Sequence, residues 1–314
     1  MTSSVLLRTG GLRVSSDSEE PLELAVLESS MLVLLGDSST IAPDLALIMA
    51  GHRKPTEGSV CIEIPEYQAN EKEERDRIVF ISYDYRPPGA MKVSEHLSLA
   101  AAAAGYKGRD IPQVLSKLFS WCGIDNILDK EERSLSTELV YTCSFAAACL
   151  SAPEILVFQG PVPGRIHPLL EDLRQSGAAI IAAIPKVDQI PYAADRIALC
   201  DSSDVRATVR FQEMAEACSR LMKLKVGFIP TLPRAVMESL PGARNVVSID
   251  GGYEFQHSVI SSAVNNLVNL ARANSRQIAE LEVRPPSSNE LLEYFTEDEE
   301  DGKADLFCGK DLDI

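Results

Sequence analysis

Hydrophobic and polar positions follow two different periods along the chain. Through residues 1–30 apolar and polar residues alternate, as in VLLRTGGLRV and LELAVLE, which predicts short antiparallel strands. Continuous apolar runs such as SMLVLLG, RIVFIS, EILVFQG and AAIIAAIP predict buried strands, and stretches with helical spacing such as APDLALIMAGH lie between them. Strands that alternate with helices favour a largely parallel sheet with covered faces.

The same periods predict how the chain is divided. The helical period dominates within 84–150, with helices predicted from about Val93 to Tyr106 and from Ile111 to Cys122. We therefore expect a helical subdomain there, inside a first domain that spans 1–218. From 219 to 296 short strands and one long helix predict a small α+β domain. The acid-rich segment 297–314 predicts a disordered, solvated tail.

Composition excludes several classes of function. A net charge of -16 argues against nucleic-acid binding and against docking on anionic lipid. No apolar run reaches the roughly 18 to 20 residues of a membrane helix, so direct membrane insertion is not expected. The N-terminus lacks a signal-peptide profile and the 7 cysteines form no CxxC pair, which predicts reduced thiols and a cytoplasmic protein. The 4 histidines have no metal-ligand spacing, so no metal site is expected.

Several longer phrases stand in a fixed order: LALIMAGHRKPTEGSV, KVSEHLSLAAAAAGY, SLSTELVYTCSFAAACLSAPEILVFQGP and AADRIALC. Over roughly residues 5–215 this order resembles an ABC transporter ATPase subunit. ELEVRPPSSNELLEYF is similar to the closing phrase of exporter-type members with a small C-terminal domain. The resemblance implies an α/β, P-loop NTPase-like ABC ATPase fold. It has a mixed sheet core, an antiparallel β subdomain and a helical subdomain, and a small α+β domain follows.

The resemblance places a phosphate-binding loop in GDSSTIAPD, where the required chemistry is missing. Such a loop needs glycines that let backbone N–H groups close around phosphates, a lysine, and a hydroxyl for Mg²⁺. Alanine stands at the lysine position, proline at the hydroxyl position, and Ser39 and Ile41 at the positions of the later glycines. The degenerate loop comprises Gly36, Ser38, Ser39, Thr40, Ala42, Pro43 and Asp44.

Pro43 and Asp44 nevertheless suit the start of a helix. Proline is favoured at the first helical position, where its missing N–H is not needed, and Asp44, one residue later, places a carboxylate at the positive end of the helix dipole. We hypothesise that Asp44 takes the place of the phosphate and repels ATP. The alternative is that Asp44 is an exposed residue of the first helical turn.

The other motifs implied by the resemblance are also altered. The metal aspartate and the glutamate that would orient or activate the attacking water are replaced by Gln159 and Gly160, and Pro185 stands at the switch histidine. The signature is reduced to Leu135, Ser136, Thr137 and Glu138. YDYRPPG, where the family contacts its membrane subunit, is either an ordinary turn or a partner-docking surface formed by Tyr83, Asp84, Tyr85 and Arg86.

These joint losses predict that the chain binds no ATP or Mg²⁺ as cofactor and has no ATPase activity. The resemblance then implies a catalytically inactive subunit that dimerises with an active ABC ATPase subunit or with itself. A transmembrane transporter subunit would hold it at the inner face of the membrane. Two alternatives stay open: an atypical weak ATPase with a composite site shared with a partner, and a soluble scaffold without a transporter.

Overall fold

The computed structural model describes residues 4–63, 77–86 and 90–300, with 297–300 described by their backbone alone. The chain forms two compact units, divided between Thr208 and Val209, and each is described by itself. The predicted domain boundary at 218/219 lies inside a helix of the second unit. Of the predicted acidic tail, residues 297–300 belong to the last helix, and the remainder lies outside the described residues.

The first unit contains two sheets. Its strands are β1 (Val5–Arg13), β2 (Ala25–Leu27), β3 (Met31–Leu35), β4 (Glu57–Ile62), β5 (Ile78–Ser82), β6 (Ile155–Gln159), β7 (Ala179–Ile184), β8 (Arg196–Cys200) and β9 (Val205–Arg210). The larger sheet has the order β5-β6-β7-β3-β8-β9, and β5, β6, β7, β3 and β8 pair in parallel. The smaller sheet, β2-β1-β4, is antiparallel, as the alternation in the first residues predicts.

Helices connect the parallel strands. They are α1 (Ala42–Met49), α2 (Val93–Ala103), α3 (Ile111–Cys122), α4 (Thr137–Leu150) and α5 (His167–Gln175). Helices α2, α3 and α4 form the helical subdomain between β5 and β6. Strands β3 and β7 are buried along their whole length, because helices and the second sheet cover both faces of a parallel sheet. The predicted fold class is therefore confirmed, including the mixed sheet core and the helical subdomain.

The second unit is a βαββαβ domain. Its elements are α6 (Phe211–Leu221), β10 (Lys223–Ile229), α7 (Arg234–Glu238), β11 (Arg244–Ile249), β12 (Gly252–Gln256), α8 (Ile260–Ala273), β13 (Gln277–Arg284) and α9 (Ser288–Glu300). The antiparallel sheet has the order β11-β12-β10-β13, which is the ferredoxin-like arrangement. Its core is built from Leu224, Val226 and Phe255 of the sheet and Leu267 of α8.

Candidate functional site

The residues that the resemblance assigns to the altered motifs lie at one edge of the parallel sheet. The loops after β3, β5, β6 and β7 carry Gly36, Tyr83, Gly160 and Pro185, each immediately after its strand. Parallel strands bring their carboxyl ends to a common edge, where ligands bind in open α/β sheets. Backbone hydrogen bonds tie the loops together at this edge: Gly36 N–H donates to Ile184 O at 3.0 Å, and Tyr83 N–H donates to Gln159 O at 2.8 Å.

The loop after β3 is closed by hydrogen bonds to its own atoms. Asp37 Oδ1 accepts from Ser39 N–H at 2.8 Å and from the Ser39 hydroxyl at 2.6 Å. Asp37 O accepts from Thr40 N–H at 3.1 Å and from the Thr40 hydroxyl at 2.9 Å. Ala42 N–H donates to Thr40 Oγ1 at 3.3 Å, and Ile41 N–H donates to Asp201 O at 2.8 Å. Backbone donors that a phosphate-binding loop directs at an anion therefore bond to protein oxygens here.

Asp37 is the acceptor at the centre of this turn. Its side chain bonds the N–H two residues ahead, which is an Asx turn. The Ser39 hydroxyl and then the Ser39 N–H lower the pKa of Asp37, because both hydrogen bonds favour the carboxylate. The Thr40 side chain packs on the glycine of the loop: a Cβ at Gly36 would lie 2.9 Å from Thr40 Cβ. Sequence reasoning missed Asp37, although Asp-x-Ser is a recognisable turn signal.

Asp44 has a different partner. Helix α1 begins at Ala42, so Pro43 is its second residue, one later than predicted, and Asp44 its third. The first turn still accommodates the missing proline N–H, because the first N–H groups of a helix have no partner within it. The Asp44 carboxylate forms an ion pair with Arg53, which lies beyond the other end of α1. Among the described contacts, the carboxylate that accepts from loop donors is Asp37 rather than Asp44. Ala42, at the lysine position, is fully buried in the apolar core with Leu45.

The glutamate position after β6 is sterically closed. Gly160 has φ +103°, a backbone conformation that residues with a side chain rarely adopt. A Cβ at Gly160 would lie 2.5 Å from Tyr83 Cβ and 3.4 Å from Tyr83 Cγ. Gly160 N–H donates to Ala183 O at 2.9 Å, which fixes the turn. Any side chain at this position therefore requires Tyr83 to move.

Tyr83 begins an aromatic cluster, buried at Tyr141, Phe145 and Phe158, that joins the parallel sheet to the helical subdomain. Its ring centroid lies 5.5 Å from that of Tyr141 on α4, and the Tyr141 ring lies 5.9 Å from Phe158 on β6. Phe145 is 6.1 Å from Phe158 and 5.8 Å from Trp121 on α3. Burial, with a smaller contribution from Tyr83, raises the pKa of Tyr141 well above its ordinary value. The Tyr141 hydroxyl has no hydrogen-bond partner within the described part of the chain.

The signature residues and the predicted docking loop are in direct contact. Ser136 is the N-cap of α4, and its hydroxyl accepts from Leu139 N–H at 3.4 Å. Arg86 donates to Thr137 Oγ1 at 3.0 Å, to Tyr83 O at 3.1 Å and to Tyr85 O at 2.8 Å. The Arg86 guanidinium therefore ties the loop after β5 to the start of α4. No sequence signal marks this contact, because the two residues are 51 positions apart.

A small open cleft of about 210 Å³ lies beside these residues. Residues from the docking loop, the signature and the turns after β6 and β7 line it, namely Tyr83, Glu138, Pro161, Val162, Pro163, Gly164 and Gln189. Glu138 and Asp84 are exposed, as is Tyr85. The structure thus brings Tyr83 and Glu138 to one surface, while Leu135 lies just before α4.

Metal-binding clusters and membrane-spanning helices are both lacking within residues 4–63, 77–86 and 90–300. No group of three His, Cys, Asp or Glu side chains there is arranged to hold a metal ion. No helix in the same residues has the length and apolar character of a membrane span.

Comparison with known proteins gives one consistent relationship. No protein-family model matches the chain. It is 27% identical over 197 residues to the ATP-binding cassette sub-family A member 6 of Mus musculus. The aligned residues make up 60% of this chain and 12% of that protein. It is 23% identical over 279 residues to the spermidine/putrescine import ATP-binding protein PotA of Frankia alni, which covers 84% of this chain and 58% of that protein. The chain therefore spans less than two thirds of the length of each of these relatives.

Solved structures agree with the sequence relatives. CbiO1 of Clostridium perfringens, described as part of the ABC transporter complex cbiONQ, superposes with a TM-score of 0.59 at 18% identity. The match covers 67% of this chain and 90% of that one. As the sequence resemblance predicts, this chain has the fold of an ABC transporter ATPase domain, and its relatives are ATP-binding proteins of that family.

Proposed function

We propose that this chain is a catalytically inactive ABC-type ATPase subunit with a structural or regulatory role. The observation that carries the proposal is the loop after β3, whose backbone donors are engaged by Asp37, Thr40 and Asp201. A nucleotide would have to break these bonds before its phosphates could reach the loop. It would then meet no ammonium group, since the lysine position is the buried Ala42.

The chemistry of phosphoryl transfer gives independent support. Catalysis of this transfer is almost entirely positioning and electrostatic stabilisation, with Mg²⁺ held by a carboxylate and water oriented by a polar side chain. Gln159 at the end of β6 is neutral, and Gly160 has no side chain and no room for one beside Tyr83. Each of the groups that would act on the phosphate or the water is therefore replaced or excluded.

The surfaces that remain suggest what the subunit does. The loop Tyr83–Arg86 is joined to the start of helix α4 by the hydrogen bond from Arg86 to Thr137. A partner that moves this loop would therefore also move the start of α4. PotA is named an import ATP-binding protein, and CbiO1 belongs to a transporter complex. By analogy, the partners of this chain are a transmembrane transporter subunit at the cytoplasmic face and a second ATPase subunit, either a competent one or another copy of this chain.

Nucleotide binding and hydrolysis by the purified chain test the inactive site. We expect isothermal titration with MgATP to give no saturable signal, and a phosphate-release assay to match the buffer rate. A reconstructed loop with D37G, A42K, P43S and D44T serves as the positive control, because it frees the Ser39 donor and restores the ammonium and hydroxyl groups. Saturable MgATP binding by the unmodified chain would contradict the proposal, as would hydrolysis that Gln159→Ala abolishes.

Purification from detergent-solubilised membranes tests the partners. A tagged full-length chain should retain a transmembrane subunit, and ATPase activity in that complex should depend on the other ATPase subunit. Activity that disappears when Ser136 of this chain is replaced by Ala would instead favour the composite-site alternative. A chain that enriches no transmembrane protein would favour the soluble scaffold.

A further inference from the structure

Within the described residues, the edge strand β13 of the second unit has one regular stretch with no strand paired on its outer side. A bulge interrupts its pairing with β10 between Gly227 and Phe228, but residues 280–284 pair with β10 without interruption. These five residues are exposed, and β13 is the last strand of its sheet. A free sheet edge of this kind presents unpaired N–H and C=O groups to a further strand. The opposite edge, β11, is unsuitable, since a bulge and the positive φ of Asn245 interrupt it.

Residues 280–284 carry apolar and charged side chains on opposite faces. Leu281 and Val283 are 39% and 42% exposed, and they lie on the same face as Leu224 and Val226, their partners on β10. Glu280, Glu282 and Arg284 alternate with them and point to the other face. An added strand would therefore have to place apolar residues beside Leu281 and Val283 on one face. On the other face it would have to place charges that complement Glu280, Glu282 and Arg284.

We propose that β13 pairs antiparallel with β13 of a second copy of this chain, in a register centred on Glu282. In that register Leu281 faces Val283 of the second copy, and Glu280 faces Arg284 of the second copy, each pair occurring twice. Directly opposed apolar and opposite-charge pairs are the stabilising units of antiparallel sheets. Because this register is centred on Glu282, all five residues of the stretch 280–284, which pairs regularly with β10, take part in the pairing between the two copies.

The single like-charge contact at the centre has compensating neighbours. Glu282 would face its own copy, but Lys225 lies opposite it on β10 and Arg284 donates to it at 2.7 Å. Moving the register by two residues toward Ala279 places Glu280 opposite Glu282 twice and removes both Glu280–Arg284 pairs. Charge therefore excludes that shift, and the opposite shift would place Leu281 and Glu280 opposite Pro285 and Pro286, beyond the end of β13. The same charges disfavour pairing with unrelated edges.

A cysteine pair tests the register in the full-length chain. In a background with Cys61 and Cys308 replaced by Ser, Glu282→Cys places two thiols opposite each other, with Cα atoms about 4.5–5.5 Å apart, within disulfide range. Glu280→Cys is the matched control, since it would lie about 13 Å from its own copy. We expect rapid oxidation of the first variant to a covalent dimer and little from the second. Equal cross-linking of the two variants, or none, would overturn the proposal.

A charge exchange tests the partner independently of cysteine chemistry. Arg284→Glu makes both opposed pairs negative, and Glu280→Arg makes both positive, so each variant should remain monomeric through this edge. Mixing the two restores complementary pairs, and sedimentation velocity should then show at least about tenfold more dimer than either variant alone. No gain on mixing would refute pairing with a second copy. The test uses neither nucleotide nor a membrane partner, so its result is separate from the proposed function.

Discussion

Replacement of Gly160 by alanine is the sharpest test of the closed glutamate position. Gly160 has φ +103°, and an alanine Cβ would lie 2.5 Å from Tyr83 Cβ and 3.8 Å from Tyr83 Cα. The contact is with the root of the tyrosine side chain, so a rotation of the ring cannot relieve it. The tyrosine backbone is itself held by the 2.8 Å hydrogen bond from Tyr83 N–H to Gln159 O.

Three contributions set the expected loss of stability. A non-glycine residue in a sparsely populated backbone region costs about 1–3 kcal/mol. Overpacking in a well-packed site costs about a further 1–3 kcal/mol. Restricting the unfolded chain offsets about 0.4–1 kcal/mol. We therefore expect Gly160→Ala to lower the free energy of unfolding of the first unit by roughly 1–6 kcal/mol, and Gly160→Glu to lower it by more.

Urea unfolding followed by tryptophan fluorescence measures this loss. Trp121 is the single tryptophan and belongs to the aromatic cluster of the first unit, so its emission reports on that unit. Gly105→Ala is the matched control, because Gly105 has φ +88° and an added Cβ there would have no described atom within 4 Å, which leaves the backbone cost alone. Tyr83→Gly, which removes the contacted Cβ, in the Gly160→Ala background should recover about 1–3 kcal/mol as a coupling energy. Equal losses for Gly160→Ala and Gly105→Ala, with no coupling to Tyr83, would refute the steric argument.

Three further predictions follow from other contacts. The hydrogen bonds from Ser39 hold the pKa of Asp37 below its ordinary value of 3.8. The ionised Asp37 side chain therefore contributes its full stabilisation above pH 3.8, and this stabilisation is lost as the pH falls through the lower pKa of the folded state. The stability difference between wild type and Asp37→Asn, measured by urea unfolding, should shrink over that acidic range. Arg86→Ala should speed amide hydrogen exchange in residues 83–86 and the first turn of α4, whereas Arg109→Ala, which removes an exposed ion pair with Asp110, should not. His96→Ala removes the partner that lies 2.6 Å from the buried Glu132 side chain, and it should lower the free energy of unfolding in urea by about 3 kcal/mol. Adding Glu132→Gln to the same chain should restore part of this loss. If His96→Ala causes no loss, the pair does not contribute to stability.

The fold could be predicted because its signals are local. Short continuous apolar runs indicated β3 and β6, since strands covered on both faces lack alternation. The helix predicted over Ile111–Cys122 is observed with those limits, because Gly123 at φ +65° ends it. The helix predicted from Val93 to Tyr106 is shorter in the structure and ends at Ala103, since Gly105 adopts φ +88°.

The chemistry of the site was predictable only where it depends on residue type. The sequence shows that lysine, aspartate and glutamate are absent from positions 42, 159 and 160. It does not show what fills the space, because the contacts between Gly160 and Tyr83 and between Arg86 and Thr137 join segments far apart in the chain. Helix-dipole reasoning offered Asp44 as an internal anion beside the alternative of an exposed first-turn residue, and the structure pairs its carboxylate with Arg53. Asp37 bonds the loop donors because an Asx turn needs only two residues of separation.

The Asx turn at Asp37 has a consequence for competition between ligands. The carboxylate is tethered to the donors that it occupies, so its effective concentration is set by chain geometry and does not change with the solutes around the protein. A free anion reaches the Ser39 N–H only during the fraction of time in which the turn is open, and its apparent affinity falls by that fraction. A turn that is stabilised by about 1.4 kcal/mol weakens every competing anion about tenfold. The Asp37 carboxylate is thus an intramolecular competitor for the Ser39 donors that dilution cannot remove.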